Sequence, residues 1–166
     1  MKKLYVVGNK ASKSLSPTIF NYWFRKYNIK ASYGYLELTE KNFHNKIKDV
    51  LEKKDTLGLN VTIPFKNKII KHLGKIDAHA KKIGAVNCVT NKKTINGTNT
   101  DWTGYYKTLP NIKQTKNRKV IILGYGGASH AIHYVLKKRG FKDILIFNRS
   151  KKKIKYSKNT EYTKKY

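Results

Sequence analysis

The run KVIILGYGGAS, from Lys119 to Ser129, restricts the fold more than any other stretch of the chain. Its apolar residues end at Gly124-Tyr125-Gly126-Gly127, and helix-forming residues follow from about Ala128 to Arg139. A strand that enters a glycine turn and leaves as a helix presents unpaired N–H groups and a partial positive charge at the helix start. A second apolar run, Ile144 to Phe147, comes next, so the segment has the strand–helix–strand order of a parallel βαβ unit. In that context Gly124, Gly126, Gly127, Ala128 and Ser129 match a dinucleotide-binding turn, in which glycines let the backbone approach a pyrophosphate. Ser129 replaces the third glycine of the usual pattern, and an ordinary strand-to-helix connection fits the same residues. The end of the second strand separates the two nicotinamide dinucleotides. Readers of NAD place an acid there for the ribose hydroxyls. This chain has Asn148-Arg149-Ser150, with Lys153 behind. A guanidinium can pair bidentately with a 2′-phosphate and Ser150 can donate a hydrogen bond, so the expected cofactor is NADP.

The rest of the chain also alternates. Leu4–Val7, Ser32–Leu38, Leu57–Ile63 and Gly84–Thr90 read as strands. Ser16-Pro17 reads as a helix N-cap followed by proline at the first helical position, with Ile19, Phe20, Trp23, Phe24 and Tyr27 on one face of the helix. Lys41–Lys53, Lys68–Leu73 and Asp101–Leu109 read as further helices. The expected class is α/β with a mostly parallel sheet. Residues 1–110 form one domain, 111–117 a polar linker, 118–150 the first βαβ of a second domain, and 151–166 a basic tail. A dinucleotide domain uses two such halves, so the second domain is incomplete within this sequence.

Charge admits two explanations. The 37 basic residues against 9 acidic give +28, which suggests a polyanion partner. Of those 37, however, only four are arginines, and readers of nucleic acid rely on arginine for bidentate contacts. The composition favours a lysine-rich solvated surface over a nucleic-acid-associated protein. A hydrophobic fraction of 39% supports a packed core. No segment has the length of a membrane span or the apolar core of a signal peptide, and the single cysteine, Cys88, fits a reducing compartment. The expected location is cytoplasmic, and Cys88 reads as a small buried hydrophobe. The five histidines show no metal-ligand spacing, so no metal site is expected; His130 and His133, three apart, read as surface or packing residues.

Six motifs, taken in order, carry a resemblance: GNKASKSLSP (8–17), NVTIPFK (60–66), IGAVNCV (83–89), NGTNTD (96–101), GYGGAS (124–129) and NRS (148–150). The series resembles the shikimate dehydrogenase family over residues 3 to about 153. The resemblance implies an N-terminal three-layer α/β domain that binds shikimate or 3-dehydroshikimate, followed by part of a Rossmann NADP domain. It implies reversible NADPH-dependent reduction of 3-dehydroshikimate to shikimate, a step toward chorismate and the aromatic amino acids. Ser14 and Ser16 would hold the substrate carboxylate. Asn60, Thr62, Asn87 and Asp101 would meet its hydroxyls. Lys66 would deliver the proton as hydride arrives, with Asp101 orienting it. His130 stands where the family often has arginine. By the same resemblance about a hundred residues of the second domain are missing, which leaves a remnant that binds shikimate-like acids without turnover as the alternative. Quinate is not separated from shikimate as substrate, and a homodimer is one of the assemblies left open.

Overall fold

The computed structural model describes residues 1–109 and 118–148, and the chain divides into two compact units, Met1–Asn99 and Thr100–Tyr166. The expected linker and tail, with Arg149, Ser150 and Lys153, lie outside the described residues.

The first unit is built on a six-stranded sheet. Its strands are β1 (Lys2–Gly8), β2 (Ala31–Glu37), β3 (Thr56–Val61), β4 (Lys75–Ile76), β5 (Cys88–Asn91) and β6 (Ile95–Thr98), in the order β2-β1-β3-β5-β6-β4. β1 runs parallel to both β2 and β3, and β4 runs parallel to β6. The hairpin of β5 and β6 joins β3 antiparallel, so three of the five junctions are parallel and the expected α/β class is observed. β1 and β3 contribute Val7, Leu59 and Val61 to the main core, and Val6 packs in a smaller cluster with Ala11 and Tyr33. Strands covered by apolar neighbours in this way need the apolar, β-branched runs seen in the sequence. Helix α2 (Phe43–Leu51) buries Phe43, Ile47, Val50 and Leu51, the i, i+4, i+7, i+8 stripe of an amphipathic helix. Phe43 stacks on Phe65 with ring centroids 4.2 Å apart, and both are fully buried.

Five local expectations are corrected. The segment from Gly84 is not a strand until Cys88. A helix, α3 (Ala78–Ile83), precedes it and stops at Gly84, whose φ of 73° is left-handed and costs glycine little. Asp77 starts that helix by accepting hydrogen bonds from the N–H groups of His79 and Ala80. Ser16 is not an N-cap. It is the first residue of α1 (Ser16–Lys26), its side chain makes no capping bond, and its own N–H donates to Ser14 Oγ at 3.2 Å. The apolar face of α1 is also narrower than its spacing predicts. Phe20 and Phe24 pack against Val6, Ala11 and Tyr33, whereas Ile19, Trp23 and Tyr27 are exposed. The expected Lys68–Leu73 helix is a 3-10 turn over Lys68–His72, and Cys88 is half-buried rather than buried.

The second unit has helix α4 (Asp101–Thr108) and the βαβ element of β7 (Lys119–Leu123), α5 (Gly127–Lys138) and β8 (Asp143–Phe147), with Val120 opposite Ile144 in a parallel pair. Ile122, Tyr125, Leu136, Phe141, Ile144 and Ile146 form its core. Arg139 lies over the Tyr106 ring at 3.9 Å and donates to the Tyr106 carbonyl at 3.2 Å, tying α5 to α4. No helix among the described residues is long and apolar enough to cross a membrane.

Candidate active site

A cleft of about 490 Å³ opens beside the ends of β1 and β3 in the first unit. It is lined by Ser14, Ser16, Asn60, Thr62, Lys66 and Asn87, together with Lys10, Lys13 and Phe20. The six motif residues of this unit, drawn from segments more than seventy positions apart in the sequence, therefore face one space.

Backbone pairing explains the convergence. A short 3-10 helix, Ala11–Lys13, follows β1 and is anchored by buried Ala11. It delivers Ser14 and then α1, so the two hydroxyls come from one turn. Asn60 and Thr62 are two residues apart on an extended chain, which puts both side chains on one face. That extension continues past β3, because the Thr62 N–H donates to the Val7 carbonyl at 2.8 Å. Gly8 sits against Thr62, where an added Cβ would overlap the Thr62 methyl group. Lys66 is fixed from both sides: Phe65 beside it is clamped in the core, and its own carbonyl accepts from the Val86 N–H at 2.7 Å. Asn87 bridges two strands through its backbone, donating to Thr98 and accepting from Val61.

The polar lining is basic and neutral. Lys10, Lys13 and Lys66 bring three ammonium groups, Ser14, Ser16 and Thr62 bring hydroxyls, and Asn60 and Asn87 bring amides; among the described residues no carboxylate lines this cleft. Such a wall attracts an anion and can hydrogen-bond several hydroxyls. Glu37 lies near Lys10 and Lys13. Hydrogen bonds from the Ser12 hydroxyl and N–H hold its carboxyl below the usual carboxylate range, and the two lysines add to the effect. Lys10 and Lys13 were not singled out from sequence, where two more lysines among many carry no signal. Tyr33 was also missed. It lies behind the cleft and donates to Asn60 Oδ1 at 2.6 Å.

The remaining named residues belong to the second unit. Asp101 opens α4. Gly124 has a φ of 86°, a left-handed conformation that glycine adopts at little cost, and its N–H donates to the Phe147 carbonyl at 2.7 Å. Gly126 precedes α5 with no side-chain cap, so Gly127, Ala128 and Ser129 form an uncapped first turn. Asn148 Oδ1 accepts from the Tyr125 N–H at 3.1 Å, which ties the end of β8 to the glycine turn. An open helix start and a glycine with positive φ suit a pyrophosphate. Behind this turn His133 is buried, accepting from or donating to the Tyr125 hydroxyl through Nδ1 at 2.9 Å. Burial lowers its pKa to about 4, so the ring is neutral. Among the described residues no three His, Cys, Asp or Glu side chains gather as they would round a metal ion.

Comparison with known proteins agrees with this geometry. Residues 6–89 match the family model described as the shikimate dehydrogenase substrate binding domain. A shikimate dehydrogenase of Thermotoga petrophila is 36% identical over 148 residues, which cover 89% of this chain and 55% of that protein. Among solved structures, shikimate dehydrogenase 1 from Peptoclostridium difficile superimposes with a TM-score of 0.84 at 31% identity, covering 98% of this chain and 61% of that one. The Thermus thermophilus shikimate 5-dehydrogenase, solved with NADP(H) and shikimate, gives a TM-score of 0.74 at 27% identity, over 90% of this chain and 57% of its own. The chain thus spans a little over half the length of the relatives it matches. With a cleft assembled from the family's own motifs and a family model covering half its length, the chain belongs to the shikimate dehydrogenase family.

Proposed function

We propose that the first-unit cleft binds a polyhydroxylated cyclic carboxylic acid of the shikimate type, and that Lys66 serves as proton donor when its ketone form is reduced. The observation that carries this reading is the lining itself, which brings together three ammonium groups, three hydroxyls and two amides. The carboxylate of the ligand sits with Ser14 and Ser16, whose hydroxyls emerge from one turn. Its ring hydroxyls meet Asn60, Thr62 and Asn87. In a closed site each hydroxyl left unpaired costs about 1–3 kcal/mol, so a matching set of partners also gives specificity. The ammonium of Lys66 donates its proton to the carbonyl oxygen as negative charge develops there, and stabilises that charge beforehand. Asp101 keeps the role its NGTNTD motif implies, as an acceptor for a substrate hydroxyl and as the group that orients Lys66.

NADP fits the described part of the second unit, where the glycine turn and the open start of α5 would hold the pyrophosphate. Arg149 and Ser150, with Lys153, are proposed for the 2′-phosphate. When bound, NADPH supplies the hydride; Lys66 supplies the proton.

Two measurements test the proposal. Titration with shikimate should raise the melting temperature of the chain. NADPH oxidation followed with 3-dehydroshikimate should then give a rate that Lys66→Ala lowers at least a hundredfold while changing the dissociation constant far less. Absence of stabilisation by shikimate overturns the binding assignment. A rate unchanged in Lys66→Ala overturns the proton-transfer assignment. Binding without turnover supports the alternative of a shikimate-binding protein that is not a catalyst by itself.

A further inference from the structure

We propose that Tyr33 is a positioning residue of the cleft: its phenol holds the Asn60 side chain so that the amide N–H₂ end faces the bound acid. This rests on the reading that the cleft takes a shikimate-like acid. Tyr33 does not line the cleft, so it acts through Asn60.

The geometry is over-determined. Tyr33 lies on β2 and is only 3% exposed, with its Oη 2.6 Å from Asn60 Oδ1. Its ring stacks on Phe20 with centroids 4.6 Å apart and planes 8° from parallel. Its backbone is held as well: the Tyr33 N–H donates to Asn21 Oδ1 at 2.9 Å, and its carbonyl accepts from Asn21 Nδ2 at 2.8 Å. Because β2 is the edge of the sheet, the Asn21 amide takes the place a neighbouring strand would have at this residue. Parallel register does the rest. Leu4 of β1 pairs with Tyr33 on one side and Gly58 on the other, so the phenol reaches across β1 to Asn60, two residues further along β3.

Chemistry then fixes the direction of the hydrogen bond. Burial pushes the Tyr33 pKa up to about 12, so the phenol keeps its proton at any working pH and donates. An amide oxygen is the acceptor it meets, which leaves the two N–H groups of Asn60 directed away from Tyr33. A free asparagine could present either end to a ligand; one whose oxygen is engaged presents a donor, the group that an alcohol oxygen or a carboxylate accepts from.

The test is a double-mutant cycle on the full chain, read by shikimate affinity. Tyr33→Phe keeps the Phe20 stack and removes only the hydroxyl; it should weaken binding roughly tenfold, the loss of one organising hydrogen bond. In an Asn60→Ala background the same change should have less than a twofold effect, because nothing remains to orient. Asn60→Asp, which keeps the acceptor for Tyr33 but turns an oxygen toward the acid, should weaken binding more than Asn60→Ala. Equal losses from Tyr33→Phe in both backgrounds, or wild-type affinity in Tyr33→Phe, overturn the proposal. If the wild-type chain does not bind shikimate at all, the functional reading fails, and the side-chain amide signals of Asn60 in a ligand-free NMR spectrum decide about Tyr33 instead. A resolved pair that shifts or collapses in Tyr33→Phe supports the positioning role, and an unchanged pair overturns it.

Discussion

The two units of this chain use the same alternation of strand and helix and differ in the size of the core that their described residues form. In the first unit, the sheet has six strands, and thirteen buried residues form one continuous core beneath it. Among the described residues of the second, a two-stranded sheet with its helices has a core cluster of six, and Ile121 and Leu123 of its first strand are 56% and 80% exposed. Two strands and a helix are close to the limit of what is stable alone in water. The contrast teaches that the cleft and the glycine turn have separate structural support, although the proposed role of Asp101 draws one substrate contact from the second unit. The cleft proposed for the acid rests on the larger core, whereas the glycine turn rests on a smaller one among the described residues. Shikimate binding should therefore survive perturbations that abolish any use of NADPH.

The sharpest way to break that separation is to damage the first core at the point where it carries the site. Phe65→Ala removes one partner of the Phe43 stack and should cost about 3–5 kcal/mol, measured by denaturant unfolding. It should also loosen Lys66, the next residue, and so abolish shikimate-induced stabilisation while the second unit keeps its own transition. A loss below about 1 kcal/mol would show that the stack does not hold this loop.

Acid should act in the opposite sense, on the second unit first. His133 is neutral in the fold with a pKa of about 4, and an unfolded histidine titrates near 6.5. Its contribution is complete above about pH 6.5 and is lost as pH falls toward 4, because the unfolded chain takes up the proton sooner. In the first unit His72 is shifted in the same direction, by burial and then by neighbouring His44 and Lys71, so that unit loses some stability in acid too. His72 touches His44 at 2.8 Å, near the surface, where water softens the penalty of a second proton. Thermal melts from pH 7 to pH 5 should therefore lower the second-unit transition by roughly 1–2 kcal/mol and the first by less. His133→Gln should flatten the second-unit dependence.

Gly124→Ala is a smaller and more local probe. No atom lies within 4 Å of the added methyl group, so the penalty comes from the left-handed backbone alone, about 1 kcal/mol. It should lower the second-unit transition and leave shikimate binding as it was.

What could be read from the sequence follows the same division between local and non-local structure. The strands of β1, β3 and β7, helix α2 and the glycine turn are local patterns, and each appears where its apolar spacing puts it. Helix α3 was legible in principle: Asp77 as N-cap and Gly84 as terminator frame it, but the apolar run beginning at Gly84 suggested a strand. β4 and β6 have two and four residues, too few for a period to show. The width of the α1 face depends on how much of β1 and β2 lies beneath it, which spacing within a helix cannot report. Asn60, Thr62, Lys66 and Asn87 came from motifs, whereas the Tyr33–Asn60 hydrogen bond depends on the register of three strands and has no signature within either segment. Lys10 and Lys13 were hidden in the lysine excess, since only the fold separates a cation at a cleft from one on an open surface.

Those two lysines provide the finest test of the comparison. Both line the cleft, and both lie near Glu37, whose carboxylate offsets part of their charge. Their pull on an anionic ligand is therefore a field effect in water, weaker than the direct hydrogen bonds proposed for Ser14 and Ser16. Lys13→Ala should weaken shikimate binding about two- to fourfold at low salt, the size of a modest solvent-screened charge interaction. That difference should shrink as ionic strength rises to about 0.5 M and the screening length falls well below 10 Å. Glu37→Gln, by removing the offset, should strengthen binding over the same range. The second unit should not respond to either change, because its stability depends on packing within β7, α5 and β8. A salt-independent loss in Lys13→Ala would instead mean that its ammonium touches the acid directly, and would place it with Ser14 and Ser16 as a contact to the carboxylate.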